Sequence, residues 1–539
     1  VAVCQGEGVS VRIVIQTDGC FYEREIERLT YLFFEGAVIT IRDAVDGTPV
    51  DGTADMTVDL RLTPVEGRLR AAGTLTMGSQ VHQSSYAVEV PEAASNVSVR
   101  RLGKRAVLHV LHELLTAVAG EGQPWGILTG VRPTKLVHEM MRRQVPEAEI
   151  RRCLREDYLL SADRVELLLE IAAAQQRVIP QLYALDGEVS VYVGIPFCPT
   201  HCAYCTFPAY SMQDKATYVE GFLEAMAAEF AQLGQLLREY ELSITSVYIG
   251  GGTPTSLRGP ELERLFDMMY THLPNPEQWR ELDVEAGRPD TITPDRVRVM
   301  KKYGVTRVSV NPQTYKASTL RDIGRGHTPD IVDHRFQFVR DAGFDNINMD
   351  LIVGLPGETV DDVRYTLERI GRLQPESVTV HTMSFKTSAV VKEERERFRI
   401  PTAATVREMM REAKAWARDL GYGPYYLYRQ KDILGNQENI GFALPGKESV
   451  YNICIMEERQ AILGVGGGAV SKLIGSGGKH FGRFANPREP RAYIEGLVDL
   501  LRRKEVRLRE VFETHRNAGG EAGNRGSACG SEEQEAIVQ

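Results

Sequence analysis

Three hydrophobic rhythms divide the chain. In residues 1–100 apolar positions often alternate with polar ones. The β-branched runs "VSVRIVIQ", "AVITIRDAVDG", "MTVDLRL" and "YAVEV", broken by Asp-Gly and Gly turns, predict a β-rich N-terminal region. From Arg101 the spacing lengthens to three and four residues. Val107, Leu108, Leu111, Leu114, Leu115 and Val118 share one helical face, and residues 159–178 continue in that style, so 101–184 reads as a helical segment. Between them, "PWGILTGVRPTKLVHEMM" joins a Gly/Pro turn to a helix with Arg132 and Lys135 at its start. Those cations could meet an anion, but a solvated helix start is the preferred reading.

From Ser190 the third rhythm begins. Six apolar segments, "SVYVGIP", "ITSVYIGGGTP", "LDVEA", "RVSVNPQ", "NINMDLIVGLP" and "SVTVHTM", are interleaved with helical stretches at 215–240, after Pro260, after Pro294 and at 359–373. Such alternation means an α/β fold, a parallel sheet with helices outside it, here over 185–390. Gly or polar residues close most of the strands: 250–253, Glu285, Gln313 and Asp350. Parallel β/α folds bind ligands at the C-terminal strand ends, so these positions outline a candidate site. Residues 391–510 read as a smaller mixed region with a helix at 405–420. Residues 511–539, rich in Gly, Glu and Ser without apolar periodicity, read as a disordered tail.

Composition narrows the function classes. A length of 539 residues implies two to four domains, and 43% hydrophobic with 25% charged residues is ordinary for a globular protein. A net charge of -9 argues against a dedicated nucleic-acid binder. No apolar run reaches the length of a membrane span and no signal peptide is recognisable, so a cytoplasmic location is expected. Five of the eight cysteines (Cys4, Cys20, Cys153, Cys454, Cys529) are scattered and make no disulfide framework.

The other three, Cys198, Cys202 and Cys205, crowd into "FCPTHCAYC" directly after the first strand of the β/α series. Three thiolates are one short of a closed structural zinc site or an all-cysteine electron-transfer cluster. His201 could complete a Cys3His zinc site. A [4Fe–4S] cluster with one open iron, able to bind a cofactor or substrate, is the alternative, and the loop's place at the ligand-binding strand ends favours it.

This Cys-x3-Cys-x2-Cys loop, with the aromatic Tyr204 before its last cysteine and "GGGTPT" following, resembles the radical S-adenosylmethionine (SAM) enzymes. The ordered set "VYVGIPFCPTHCAYC", "YIGGGTPT", "DVEA", "VNPQT", "IGRGH" and "INMDLIVGLPGET" is similar to that of oxygen-independent coproporphyrinogen III oxidases, nearest their HemZ-type branch, over about residues 100–510. The resemblance implies a partial (β/α)6 TIM-like barrel with an oxidase-like C-terminal region. It also implies one cluster on Cys198, Cys202 and Cys205, through which these residues serve catalysis. SAM would be flanked by Tyr192 and Tyr204, lined by Gly251, Gly252 and Thr253, and completed by Glu285, Gln313, Arg325 and Asp350; a second SAM stays open. The residue types suit these roles: glycines admit close backbone approach, carboxylates accept from an ammonium or ribose hydroxyls, and a guanidinium forks onto a carboxylate.

The implied reaction converts two propionates of coproporphyrinogen III to vinyls, giving protoporphyrinogen IX, with a reductant protein such as flavodoxin or ferredoxin. A haem-binding carrier of the related family, or a radical SAM enzyme on another substrate, are the alternatives. Lys386 and Arg429 are candidates for the substrate carboxylates, although surface charge explains each. Three positions depart from the oxidase pattern: Gly194 replaces a His, Phe207 a fourth Cys, and Asn311 a Gly. "LGVGGGAV" approaches a dinucleotide fingerprint but lacks its strand–helix unit and acidic partner, so it is expected to pack the C-terminal region onto the barrel.

Overall fold

The computed structural model describes residues 11–43, 54–92, 95–130, 132–205, 207, 209–211, 216–384, 399–430 and 433–522. Cys4, Cys529, Lys386 and residues 523–539 of the expected tail lie outside them. The chain divides between Leu169 and Glu170 into two compact units, which replaces the boundaries expected at 100 and 184.

In the first unit β1 (Arg12–Asp18), β2 (Val38–Asp43), β3 (Met56–Val65), β4 (Arg68–Met77) and β5 (Gln80–Glu89) form one sheet in the order β2-β1-β3-β4-β5. β1 runs parallel to both β2 and β3, and β3 to β5 form an antiparallel meander. A parallel β1–β2 pair needs a crossover, supplied by α1 (Glu23–Phe33), which the β-rich reading passed over. Its signal is local: Ile26, Leu29 and Thr30 of "EREIERLTYLF" are buried at helical spacing. α2 (Asn96–Ala119) begins where Ser98 N donates to the Ser95 side chain (3.2 Å) and stops at Gly120. Its Val107, Val110, Leu111, Leu114 and Leu115 share one core with Ile13, Ile15, Val58 and Leu75 of the strands. The strands and the first helical stretch are therefore one folding unit, because neither buries its apolar face alone.

In the second unit the six expected strands are β6 (Glu188–Ile195), β9 (Ser243–Gly251), β10 (Glu281–Val284), β11 (Arg307–Ser309), β12 (Ile347–Val353) and β13 (Ser377–Thr382). Successive ones pair in parallel. The short β7 (Phe197–Cys198) and β8 (Tyr210–Ser211) pair with each other and close the cysteine loop. Helices fill the connections, among them Val219–Glu239 and Val360–Leu373, the latter entered through a reciprocal Thr359–Asp362 capping box.

Residues 391–510 do not stand apart, as expected; they lengthen the same sheet at both edges. β14 (Gly423–Tyr428) and β15 (Asn439–Ala443) add antiparallel beside β13. At the opposite edge β16 (Ala461–Gly466) pairs with β6 as a seventh parallel strand, followed by β17 (Val470–Ile474) and β18 (His480–Ala485). The resulting order is β14-β15-β13-β12-β11-β10-β9-β6-β16-β17-β18. Glycine hides β16 from a propensity reading, yet a Cβ at Gly464 would lie 3.0 Å from Ala469 Cβ and Val470 N, so the strand requires it. The disordered tail expected from 511 is corrected too: helix Leu497–Ala522 covers its first part, with Leu508, Val511 and Phe512 buried at helical spacing. Among the described residues no helix is long and apolar enough to cross a membrane.

One buried ion pair fastens the last strands. Glu229, 1% exposed on helix Val219–Glu239, accepts from Lys504 Nζ (2.6 Å), Asn486 Nδ2 (2.8 Å), Gly466 N (2.8 Å) and the Tyr493 hydroxyl. Lys504 also donates to the Gly464 carbonyl. Removing one partner of such a pair strands the other charge in the core. Lys504→Met is therefore expected to lower unfolding free energy by about 3 kcal/mol in urea titrations, and the double change Glu229→Gln/Lys504→Met to recover a large part of that loss.

Candidate functional site

Where β6 ends, the chain turns into the cysteine loop, which neighbouring segments hold in place. Ala203 N donates to Ile323 O (3.0 Å), the Thr200 hydroxyl to Gly324 O (3.0 Å) and Cys205 N to Cys202 O (3.0 Å). Gly252 N and Thr253 N, leaving β9, donate to Ile195 O and Phe197 O, both at 2.7 Å. Cys198 and Cys202 are each 8% exposed and Cys205 is half-buried; all three are unpaired thiols. Burial, reinforced by the charges of the other two, pushes the Cys198 thiol up to about 12, and burial likewise raises Cys205. Three thiolates at this spot therefore need positive charge among them. Among the described residues no three His, Cys, Asp or Glu groups are drawn close enough to hold one metal ion, and His201 is exposed. Three cysteine sulfurs are one donor short of a closed structural zinc site and suit an iron–sulfur cluster that keeps one position for a further ligand.

The remaining expected residues belong to the same sheet, Tyr192 and Asp350 within β6 and β12, and Glu285 and Gln313 beyond the ends of β10 and β11. Tyr192 on β6 stacks 6.0 Å from Tyr248, which stacks 4.6 Å from Tyr451. Tyr204 accepts from Arg325 Nη2 (3.0 Å), and Arg325 Nη1 donates to Gly287 O (3.0 Å). The expected open fork of Arg325 is thus partly spent on the loop. Gly251 and Gly252 also have a packing role. A Cβ there would lie 3.0 Å from Ile195 O and 2.6 Å from Phe197 O, so close packing of β9 on the cysteine loop demands them, and the Gly252 amide is already bonded. The buried Thr253 hydroxyl lies 3.3 Å from Cys198 Sγ.

The two carboxylates separate in protonation. Burial, then the charge of Asp350, raises Glu285 to about 8. Burial works against the Asp350 anion as well, but the bond and charge of His381, with bonds from Asn348 and Thr379, outweigh it and hold this carboxyl below its ordinary range. Asn311 Nδ2 donates to Asp350 Oδ2 (2.8 Å) while Asp350 N donates back to Asn311 Oδ1 (3.1 Å). The asparagine that departs from the oxidase pattern is therefore a two-point lock on Asp350.

Gln313 is held at φ 64°, with its amide on Asp350 O and its carbonyl accepting from Ile352 N, both at 2.9 Å. Its buried Oε1 has no partner within the protein. A left-handed backbone carrying an orphaned side-chain acceptor is what a bound ligand would complete.

Sequence reasoning missed two groups. Arg288 sits behind the cysteine loop, 3% exposed, and its "GRPD" context reads locally as a turn. His381, at the end of β13, lies 3.6 Å from Asp350 Oδ2 and bonds the Tyr428 hydroxyl at 3.2 Å; a polar residue closing a strand was the signal. Gly194 leaves no room for the oxidase histidine, since its Cβ would meet Gly467 O at 2.8 Å and Ala469 Cβ at 3.2 Å. Phe207 is 56% exposed. Arg429 is buried and bonds Asn436, which corrects its reading as surface charge.

Residues 192–370 match the radical SAM superfamily. The chain is 40% identical over 490 residues to the oxygen-independent coproporphyrinogen-III oxidase-like protein HemZ of Bacillus subtilis, covering 91% of this chain and 96% of that one. It is 29% identical over 326 residues to the heme chaperone HemW of the same organism, covering 60% and 79%. Among solved structures, coproporphyrinogen III oxidase (HemN) of Escherichia coli aligns with a TM-score of 0.46 at 20% identity, covering 61% of this chain and 72% of that one.

The strain at Gln313 carries its own prediction. Gln313→Gly accepts the positive φ without penalty and removes the orphaned carbonyl. It is expected to stabilise the ligand-free protein by about 1 kcal/mol, read as a higher Tm in calorimetry.

Proposed function

The chain belongs to the HemZ-type family of oxygen-independent coproporphyrinogen-III oxidase-like proteins within the radical SAM superfamily, and from that premise we propose that it decarboxylates coproporphyrinogen III oxidatively. The observation that carries the reading is the trio of thiols beyond β6, two buried and one half-buried, together with one neutral and one ionised carboxyl group. Cys198, Cys202 and Cys205 would hold one [4Fe–4S] cluster, three ligands leaving it able to bind SAM. When bound, the cluster and SAM supply a hydrogen-abstracting 5′-deoxyadenosyl radical, with the electron coming from a reductant protein such as flavodoxin or ferredoxin.

The chain's own residues bind and shield. Asp350, fixed by Asn311 and His381, accepts from ribose hydroxyls, and Glu285 accepts from the SAM ammonium. Gln313 offers its unpaired carbonyl, while Tyr192 and Tyr204 wall off water. Gly251, Gly252 and Thr253 press the end of β9 onto the loop, and Arg325 steadies Tyr204. Each of two propionates would then lose one β-hydrogen atom to the adenosyl radical, one further electron to an external one-electron acceptor and carbon dioxide, leaving a vinyl group. The identity to heme chaperones favours a second reading, haem binding without turnover.

One anaerobic assay with reconstituted protein, SAM, dithionite and coproporphyrinogen III separates these. Two vinyl groups formed, with SAM consumed, support the proposal, and replacing all three loop cysteines by Ala should abolish both iron uptake and product. Tight haem binding with no vinyl product would establish the carrier reading, and SAM cleavage without vinyl product a different substrate.

Proton linkage gives a further check. At pH 7 a Glu285 with a pKa of about 8 is mostly neutral in the ligand-free protein, and a cationic ligand favours its anion. SAM binding is therefore expected to release close to one proton at pH 7, and to tighten by up to about tenfold per pH unit as pH rises towards 8. Calorimetry in buffers of different ionisation enthalpy reads the release, and Glu285→Gln should eliminate it.

A further inference from the structure

Behind the cysteine loop lies an ion pair that none of the roles above uses. Arg288 follows β10 and is 3% exposed. Its Nε and Nη2 clamp Asp290 Oδ1 and Oδ2, both at 3.0 Å. The remaining Nη1 is thereby aimed at the loop, 3.0 Å from the Thr200 hydroxyl and 3.6 Å from Cys202 Sγ. Gly326 keeps the space open, since a Cβ there would approach Arg288 Nη2 to 3.2 Å.

We infer that Arg288 is a positioning residue that tunes the iron–sulfur group: by donating an N–H to the Cys202 sulfur it raises the reduction potential of a cluster bound to this loop. The inference rests on the proposed reading of Cys198, Cys202 and Cys205 as cluster ligands.

The physical basis is charge. Reduction adds one electron from an external low-potential donor, makes and breaks no bond, and places more negative charge on the thiolate sulfurs. A donor held at a sulfur stabilises that state more than the oxidised one. Asp290 balances the guanidinium formally, so the effect comes from the directed N–H and the nearer half of the pair. Arginine is required because one planar fork grips a carboxylate and still points a third nitrogen elsewhere, which a lysine ammonium does not do.

The test compares wild type, Arg288→Met and Arg288→Lys, each reconstituted anaerobically, with iron and sulfide counted and reduction followed by electron paramagnetic resonance in a poised titration. At the potential where wild type is half reduced, Arg288→Met should show a reduced-to-oxidised ratio about tenfold lower, which for one electron is about 59 mV. Arg288→Lys should fall between, at about threefold. If the Met variant takes up fewer than four irons per chain, the Lys variant decides alone. A fully loaded variant with an unchanged ratio overturns the inference and leaves Arg288 as a brace for Thr200. Wild type that takes up no cluster would instead remove the cofactor reading itself, an outcome distinct from the first.

Discussion

Packing three thiols beside one another in a low-dielectric loop makes a site that cannot hold its ionised form unaided. Burial and mutual repulsion both favour the neutral thiols, as the raised Cys198 and Cys205 show. Much of the surrounding structure answers that constraint. The end of β9 presses glycine backbone onto the loop so that Thr253 reaches Cys198, the segment after β11 receives Ala203 and Thr200, and Arg288 reaches in towards Cys202. The loop is thus gripped by three successive strand–helix connections, and its geometry is fixed by the sheet more than by its own sequence.

How much of this was legible depends on whether the signal was local. The six parallel strands were, because a strand buried on both faces must be a continuous apolar run. The cysteine trio was, because thiols at that spacing have few other uses. β16 was not: the glycines that let it turn tightly beside β6 lower its apparent strand preference, and its partner lies some 270 positions away. That Gly251 and Gly252 are also needed for close packing against Ile195 and Phe197 was not legible, because those partners lie more than fifty positions away. Arg288 was invisible because its partners, Thr200 and Cys202, are distant in sequence. The left-handed backbone of Gln313 leaves no mark in sequence at all.

The departures from the oxidase pattern acquire physical content in three dimensions. Gly194 is required by the approach of Gly467 and Ala469 from the turn between β16 and β17, so the absent histidine is a consequence of how the added strands are joined. Asn311 replaces a residue without a side chain by one that brackets Asp350 from two sides. That bracket, with His381 backed by Tyr428, keeps Asp350 ionised next to a Glu285 that prefers its proton. Two carboxyl groups near one another are held in different protonation states by their neighbours, as sites that handle a mixed-charge ligand require.

The late strand β16 has a further consequence for how the molecule is made. During synthesis from the amino end, β6, which leads straight into the cysteines, has one flank uncovered until residues 461–466 leave the ribosome. The carboxylate at 229 that secures this flank waits longer still, for the lysine at 504. The strand that carries this loop is therefore braced on both sides only after residues 461–504 have been made, and a chain cut before them would present a bare strand edge beside the three thiols.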